Sequence, residues 1–264
     1  MVAGVWEGHD YIPRVFDEWV SDPGAWFQAA EVQGEVAGIQ RFRPISASIL
    51  WYEGLRVAPG REGRGLAGAM LQAGIEQARS QGYREIRLVT ANPRAIELFR
   101  REGFGLIVAP RRWQAARLEG EEPARMVDPK QAARLAAGLT AAPEVAGYGG
   151  VIPDGEWALA PDTALLERLA REGKLRVTGG ARALAYTRIG WGGDELAAPF
   201  VSGAGAAFRD LTMALRFEAD IEGLKGVAIW AYDGHPGEDD LRATGYDSET
   251  APFRLHYFGL RLDH

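Results

Sequence analysis

The sequence predicts an α/β protein built from two similar halves, and three observations predict it. A strand, a glycine-rich turn, a helix, a second strand and a second helix follow one another without interruption between residues 49 and 104. The same order of segments returns about 140 residues later. The composition, 47% hydrophobic and 25% charged over 264 residues, is that of a chain able to bury a globular core.

Each element follows from its residues. "ILWYEGLRV" (49–57) is rich in β-branched and aromatic side chains and reads as a strand. Pro59 and a run of glycines then break it. "GLAGAMLQAGIEQARSQGY" places Leu66, Met70, Leu71, Ala73, Ile75 and Ala78 at helical spacing, and Gly82 closes the run. "EIRLVT" is the next strand. In "ANPRAIELFRREGF", Asn92 is the expected N-cap, Pro93 the first helical residue and Gly103 the stop.

Several function classes are excluded by what the chain lacks. It has no cysteine, so a thiol nucleophile, a cysteine metal site and disulfides are ruled out. His9, His235, His256 and His264 are far apart and show no metal-ligand spacing. The net charge of −6 and the lack of a Lys/Arg stripe argue against nucleic acid. No basic-then-apolar leader and no membrane-length apolar run is visible. The expectation is a soluble, cytoplasmic protein without a metal, a nucleic-acid partner or a membrane anchor.

The turn "VAPGREGRGLAGAM" (57–70) contains Gly63-Arg64-Gly65-Leu66-Ala67-Gly68, which fits G-x-G-x-x-G. A dinucleotide site would have the strand run directly into the first glycine and an acidic residue at the end of the next strand. Here "APGRE" intervenes, and the next strand ends in Thr90-Ala91-Asn92. Both tests fail. Two readings stay open on the residues alone: a loop presenting backbone N–H groups and a helix N-terminus to another phosphate, or a ligand-free turn.

The two stretches "LRVAPGREGRGLAGAML" and "NPRAIELFRREGF" resemble the two central motifs of the GNAT superfamily of N-acetyltransferases, with matching spacing over about 50 residues. The resemblance implies a mixed-sheet acyl-CoA N-acyltransferase fold and acetyl-CoA as co-substrate. It assigns the pyrophosphate to Gly63, Arg64, Gly65, Leu66, Ala67 and Gly68. Leu55 and Arg56 would line the pantetheine, the Val57 N–H would polarise the thioester, and Asn92 and Phe99 would flank the cofactor. Two positions depart from the family. Glu62 replaces its usual Gln/Arg, and Phe99 stands where many members carry a tyrosine that protonates the leaving thiolate.

Glu53 is the candidate base. Strand alternation puts Trp51, Glu53, Leu55 and Val57 on one face, and "YEGLRV" resembles the segment where small-molecule acetyltransferases carry such an acid. The alternative is a strand carboxylate paired with Arg56 or Arg87. "GHDYIPRVFDEW" (8–19) resembles histidine N-acetyltransferase-like proteins, which implies that His9, Asp10 and Tyr11 lie on the acceptor side; the alternative is an aromatic-rich amphipathic helix in the core.

A shift of 140 lays "APGREGRGLAGAML" on "APFVSGAGAAFRDL", and a shift of 142 lays "LFRREGF" on "DLRATGY". The expectation is therefore two tandem GNAT-like halves: 1–118, with the acetyl-CoA site, and 124–264, diverged and completing the acceptor pocket. The ungapped alignment puts Phe200-Val201-Ser202 in the second loop and Gly193 opposite Glu53. The expected reaction is direct acetyl transfer to a primary amine of a small molecule, an amino acid being preferred. An acetyl-CoA-binding sensor or scaffold and a protein N-acetyltransferase are the alternatives. The oligomeric state is left open.

Overall fold

A computed structural model describes residues 10–178, 180–248 and 254–262. The chain divides into two compact units, residues 1–106 with 257–264, and residues 107–256. Each contains a mixed sheet of six strands. The motif repeat suggests boundaries of 1–118 and 124–264; the two compact units have other bounds because residues 111–116 and 256–261 each join the sheet of the other repeat.

The first unit runs α1 (Ile12–Ser21), β1 (Trp26–Val32), β2 (Glu35–Pro44), β3 (Ile49–Val57), α2 (Leu66–Ser80), β4 (Glu85–Thr90) and α3 (Pro93–Arg101), then enters β5 (Gly105–Val108). Among the described residues one helix precedes β1. Between β4 and β5 this sheet takes in a strand from residues 256–261.

The second unit begins with β6 (Arg111–Ala116) and β7 (Arg125–Met126), followed by α4 (Ala132–Thr140) and α5 (Pro143–Gly147). A small hairpin, β8 (Ile152–Pro153) and β9 (Ala158–Leu159), leads to α6 (Thr163–Arg171), β10 (Leu175–Thr178), β11 (Ala183–Ile189) and β12 (Glu195–Ser202). Then come α7 (Gly205–Ile221), β13 (Gly226–Ala231) and α8 (Glu238–Ala243), and the chain finishes with β14 (His256–Arg261). The sheet orders are β1-β2-β3-β4-β14-β5 and β6-β13-β12-β11-β10-β7.

The helices form where sequence predicts them. Asn92 caps α3 by accepting the Arg94 N–H at 3.0 Å, with Pro93 at the first position, a cap worth about 1 kcal/mol. α2 closes with Gly82 at φ +80°. The apolar side of α2, through Leu71, Ile75 and Ala78, joins Phe42, Leu50, Tyr52, Ile86 and Phe99 in the first core. Ile12 and Trp19 of α1 cluster instead with Ile39. The second core is built on Phe208, Leu211, Leu215 and Ile229.

Both sheets share a device at the centre. The β1–β2, β2–β3, β10–β11, β11–β12 and β13–β6 pairs are antiparallel, but β3–β4 and β12–β13 are parallel. The β3–β4 register runs only from Ile49↔Glu85 to Trp51↔Arg87, while β3 continues to Val57 and β4 to Thr90. The β12–β13 register stops at Ala198↔Ile229, short of Ser202 and Ala231. Past these points each strand pair is open.

Candidate active site

A β-bulge sits beside the open end of β3. Arg41 pairs with Glu53 and Ile39 with Arg56, so Gly54 and Leu55 together face Gln40. An extra residue in one strand shifts its side-chain alternation. Glu53 and Arg56 therefore share the face of Arg41 and Ile39, and Val57, opposite Gly38, lies on the other. This corrects the alternation expected for Glu53 and Val57: the strand is not regular between them. Gly54 makes the bulge possible. Its φ is +73°, and a Cβ there would lie 2.5 Å from Trp19 Cζ3.

The face carrying Glu53 is packed by α1 and holds a charged cluster. Arg41, buried, bonds Glu53 Oε1 with one terminal nitrogen and Asp22 Oδ2 at 2.5 Å with the other. Its guanidinium lies 4.9 Å from the Trp19 ring centroid. Arg43 Nε reaches the same Glu53 oxygen at 3.4 Å. The partners of Glu53 are thus Arg41 and Arg43, whereas Arg56 is bonded to Asp10 and Arg87 to Glu85. Burial pushes the Glu53 carboxyl above the ordinary glutamate value, against the opposing pull of Arg43 and Arg41.

Asp10 is buried and grips Arg56 through two bonds of 2.8 and 2.9 Å. Burial alone would raise its pKa; the bonds from Arg56 and the Ile12 N–H hold it below the ordinary aspartate value. Tyr11 stands over Arg56, 5.7 Å from guanidinium to ring centroid, and edge-on to Trp19. His9 lies outside the described residues. Sequence reasoning missed Arg41, Arg43, Asp22 and Trp19. The available signal was "QRFRP", which puts two arginines on one face of a strand.

The loop after β3 has the form a phosphate site requires. Gly63 and Gly65 adopt φ of +73° and +80°, which only glycine reaches without strain. Gly63, Arg64 and Gly65 are exposed, Leu66 and Ala67 half-buried, and Gly68 buried. Gly65 occupies the N-cap of α2 and supplies no side-chain cap. The first N–H groups of a helix have no partner inside it. Glu62, the anomalous carboxylate, turns back on its own loop and accepts the Gly60 N–H at 2.7 Å. Arg61 pairs with Glu35. Leu55, Arg56 and Val57 are half-buried on the open stretch of β3, and Asn92 is exposed at the head of α3. Phe99 is buried edge-on to Tyr52 and Phe104, so α3 offers no phenol here.

Residues 3–104 match the model of the acetyltransferase (GNAT) family. That match covers less than half of the chain and takes in both the glycine-turn and the Asn92-helix motifs. Histidine N-acetyltransferase of Scomber australasicus is 30% identical over 89 residues, which is 33% of this chain and 26% of that protein. The match thus spans about a quarter of the relative's length. A GCN5-related N-acetyltransferase from Sphaerobacter thermophilus has the same fold at TM-score 0.60 and 14% identity, over 97% of this chain and 87% of that one. A tandem GNAT protein from the clavulanic acid biosynthesis pathway superposes at TM-score 0.51 and 14% identity, over 92% and 85%. The fold is therefore a tandem GNAT fold, and the GNAT family acts with acetyl-CoA.

In the second GNAT-like copy the bulge recurs. Arg188 pairs with Ala197 and Tyr186 with Phe200, leaving Ala198 and Pro199 opposite Thr187. Proline suits this position because a bulged residue need not donate to the ladder. By this register Ala197, not Gly193, corresponds to Glu53, and Val201 corresponds to Val57. Phe200, Val201 and Ser202 are buried strand rather than loop. The ungapped alignment misled because the loop of residues 58–65 has shrunk to Gly203 and Ala204. No helix among the described residues is long and apolar enough to cross a membrane, and no described group of His, Asp and Glu is arranged to hold a metal ion.

Proposed function

We propose that this protein is an acetyl-CoA-dependent N-acetyltransferase that moves the acetyl group directly to a primary amine of a small molecule. The observation that carries this reading is the bulge beside the open end of β3. Glu53 and Val57 both lie on the stretch of β3 beyond its last pair with β4, Glu53 on the α1 face and the Val57 backbone at the open edge, and that stretch leads into the uncapped N-terminus of α2. The backbone N–H groups of Gly63 to Gly68 would bind the pyrophosphate, with Arg64 beside them. Leu55 and Arg56 would line the pantetheine, with Asn92 and Phe99 on the α3 side.

In the reaction the amine nitrogen attacks the thioester carbonyl carbon, and the Val57 N–H stabilises the developing oxyanion. The carbon–sulfur bond breaks and coenzyme A leaves as thiolate. Glu53 takes the ammonium proton, directly or through water. Its Oε1 is held by Arg41 and Arg43, which directs the other oxygen, Oε2, to this task. With Phe99 in the core, the thiolate leaves without a phenol from α3.

The acceptor is a free amino acid or similar cationic amine. Glu53, Asp22 and Asp10 lie on the α1 face, the net charge is −6, and the Scomber australasicus relative is named for histidine. Turnover of acetyl-CoA with a panel of amino acids and polyamines, read as free thiol, tests the reading. Binding of acetyl-CoA without acetylation of any amine would favour a sensor instead.

A further inference from the structure

We infer that the second cleft, between β12 and β13, is filled by the protein's own side chains, with Tyr148 and Glu144 standing where a thioester carbonyl and a phosphate would stand. The C-terminal copy then takes no acyl-CoA, and the chain binds one. This stoichiometry rests on the reading of the first copy as the acetyl-CoA site.

The geometry is specific. Val201 occupies the position of Val57 relative to the bulge. Its N–H, the equivalent of the polarising amide, is directed at the Tyr148 hydroxyl oxygen at 3.4 Å. That hydroxyl donates in turn to the Trp230 carbonyl at 2.6 Å. One phenol thus bridges the unpaired ends of β12 and β13, the gap left where their ladder stops. Its ring is fully buried against Phe200, at 4.8 Å between centroids, and edge-on to Tyr232. His235, buried and held towards its neutral form by desolvation, contacts the Val201 carbonyl at 3.2 Å.

The phosphate end is closed in the same way. The Gly203 N–H donates to Glu144 Oε1 at 3.0 Å, and the Gly205 N–H, at the first residue of α7, donates to Asp240 Oδ2 at 2.6 Å. Arg209 holds the other Asp240 oxygen at 2.5 Å. Two carboxylates therefore cap amides that correspond to the pyrophosphate-binding end of the first copy. A polyphosphate would have to displace one anion and approach another. Glu144 and Tyr148 are brought together by α5, a short helix with no counterpart among the described residues of the first unit.

The test combines acetyl-CoA stoichiometry by native mass spectrometry with amide hydrogen exchange on the full chain. The wild type should bind one acetyl-CoA and Gly65→Val, checked for folding by circular dichroism, none. The amides of Val201, Gly203 and Gly205 should exchange slowly without ligand and no more slowly at saturating acetyl-CoA. Tyr148→Phe should speed Val201 exchange roughly five- to tenfold, the loss of one hydrogen bond. A second equivalent bound by the wild type, one retained by Gly65→Val, or protection of these amides by acetyl-CoA would overturn the inference. If the wild type binds none, the proposed function fails. The exchange data then decide this inference alone, because a Val201 rate indifferent to Tyr148→Phe would remove the internal ligand.

Discussion

Arg41 holds Glu53 across the β2–β3 pair, and the same guanidinium holds Asp22 beyond the end of α1. A buried arginine shared by two carboxylates fixes the orientation of both. For Glu53, burial raises the carboxyl's pKa while the charges of Arg43 and Arg41 pull it back down.

If Glu53 takes the amine proton, Glu53→Gln should lower the acetylation rate by about 10²- to 10⁴-fold. The amide keeps the size of the side chain, so the affinity for acetyl-CoA should change little. Steady-state rates and calorimetric binding on the same preparation check both halves. An unaltered rate would reduce Glu53 to a structural partner of Arg41.

The pH profile carries a sign. The proposed mechanism needs the Glu53 carboxylate, whose pKa is raised by burial. Activity should therefore fall with decreasing pH through a midpoint above the ordinary glutamate value. Arg41→Gln removes a favourable charge and should move that limb to still higher pH, with Arg41→Lys returning it part-way. Breaking a buried pair costs about 3–5 kcal/mol, so the variants should be measured below their own unfolding temperatures. A limb that stays in place in Arg41→Gln but vanishes in Glu53→Gln would keep Glu53 as base and remove Arg41 from its tuning.

Gly65→Val and Gly205→Val should separate the two copies. Both glycines have positive φ, +80° and +69°, so each substitution carries strain of about 1–2 kcal/mol. Beyond that common cost, Gly65→Val puts a branched side chain at the uncapped start of α2 and should weaken acetyl-CoA binding strongly. Gly205→Val should lower stability and leave that binding nearly unchanged. Equal losses of affinity from the two changes would mean that both loops hold a ligand.

Much of this was legible in sequence because local signals and global fold agree. The Asn92 cap, the Gly82 and Gly103 stops and the α2 periodicity each rest on a few adjacent residues. The bulge was not legible, because the register of β3 is set by its partner strand. Simple alternation therefore puts Val57 on the face of Glu53, where the structure does not have it. The second loop was misplaced for a related reason: Ala, Gly and Pro matched without a gap although the chain there is strand. The exchange of β6 and β14 between sheets leaves no mark in a linear repeat, since either strand fits either place. The carboxylates that cap α7 come from α5 and α8, distant in sequence from the glycines they bind.

Acetyl-CoA should raise the thermal transition, and NADH should not. The shift should grow with the logarithm of ligand concentration once binding saturates, reaching about 2.7 kcal/mol of added stability at a hundredfold excess over Kd. The expectation comes from the open β3–β4 ladder leading into the α2 turn, with no acidic residue closing β4 for a ribose. Stabilisation by NADH alone, seen by scanning calorimetry, would return the loop to the dinucleotide class.

Gly54→Ala tests whether the bulge itself is functional. At φ +73° an alanine is strained by about 1–2 kcal/mol, and its Cβ would lie 2.5 Å from Trp19 Cζ3. Trp19 must move, and with it the face that Arg41 packs against. The substitution should lower the thermal transition, alter tryptophan emission and reduce kcat/KM by more than the stability loss explains at a temperature where the variant is fully folded. Gly34→Ala supplies the control. It has a similar φ of +81° but nothing within 4 Å of its Cβ, so it should carry the backbone strain without touching Trp19 or the rate. If Gly54→Ala lost only as much activity as Gly34→Ala, the bulge would be a feature of strand geometry. A selective loss would tie the chemistry to the one residue that lets β3 turn Arg56 onto the face of Glu53 while Val57 faces away.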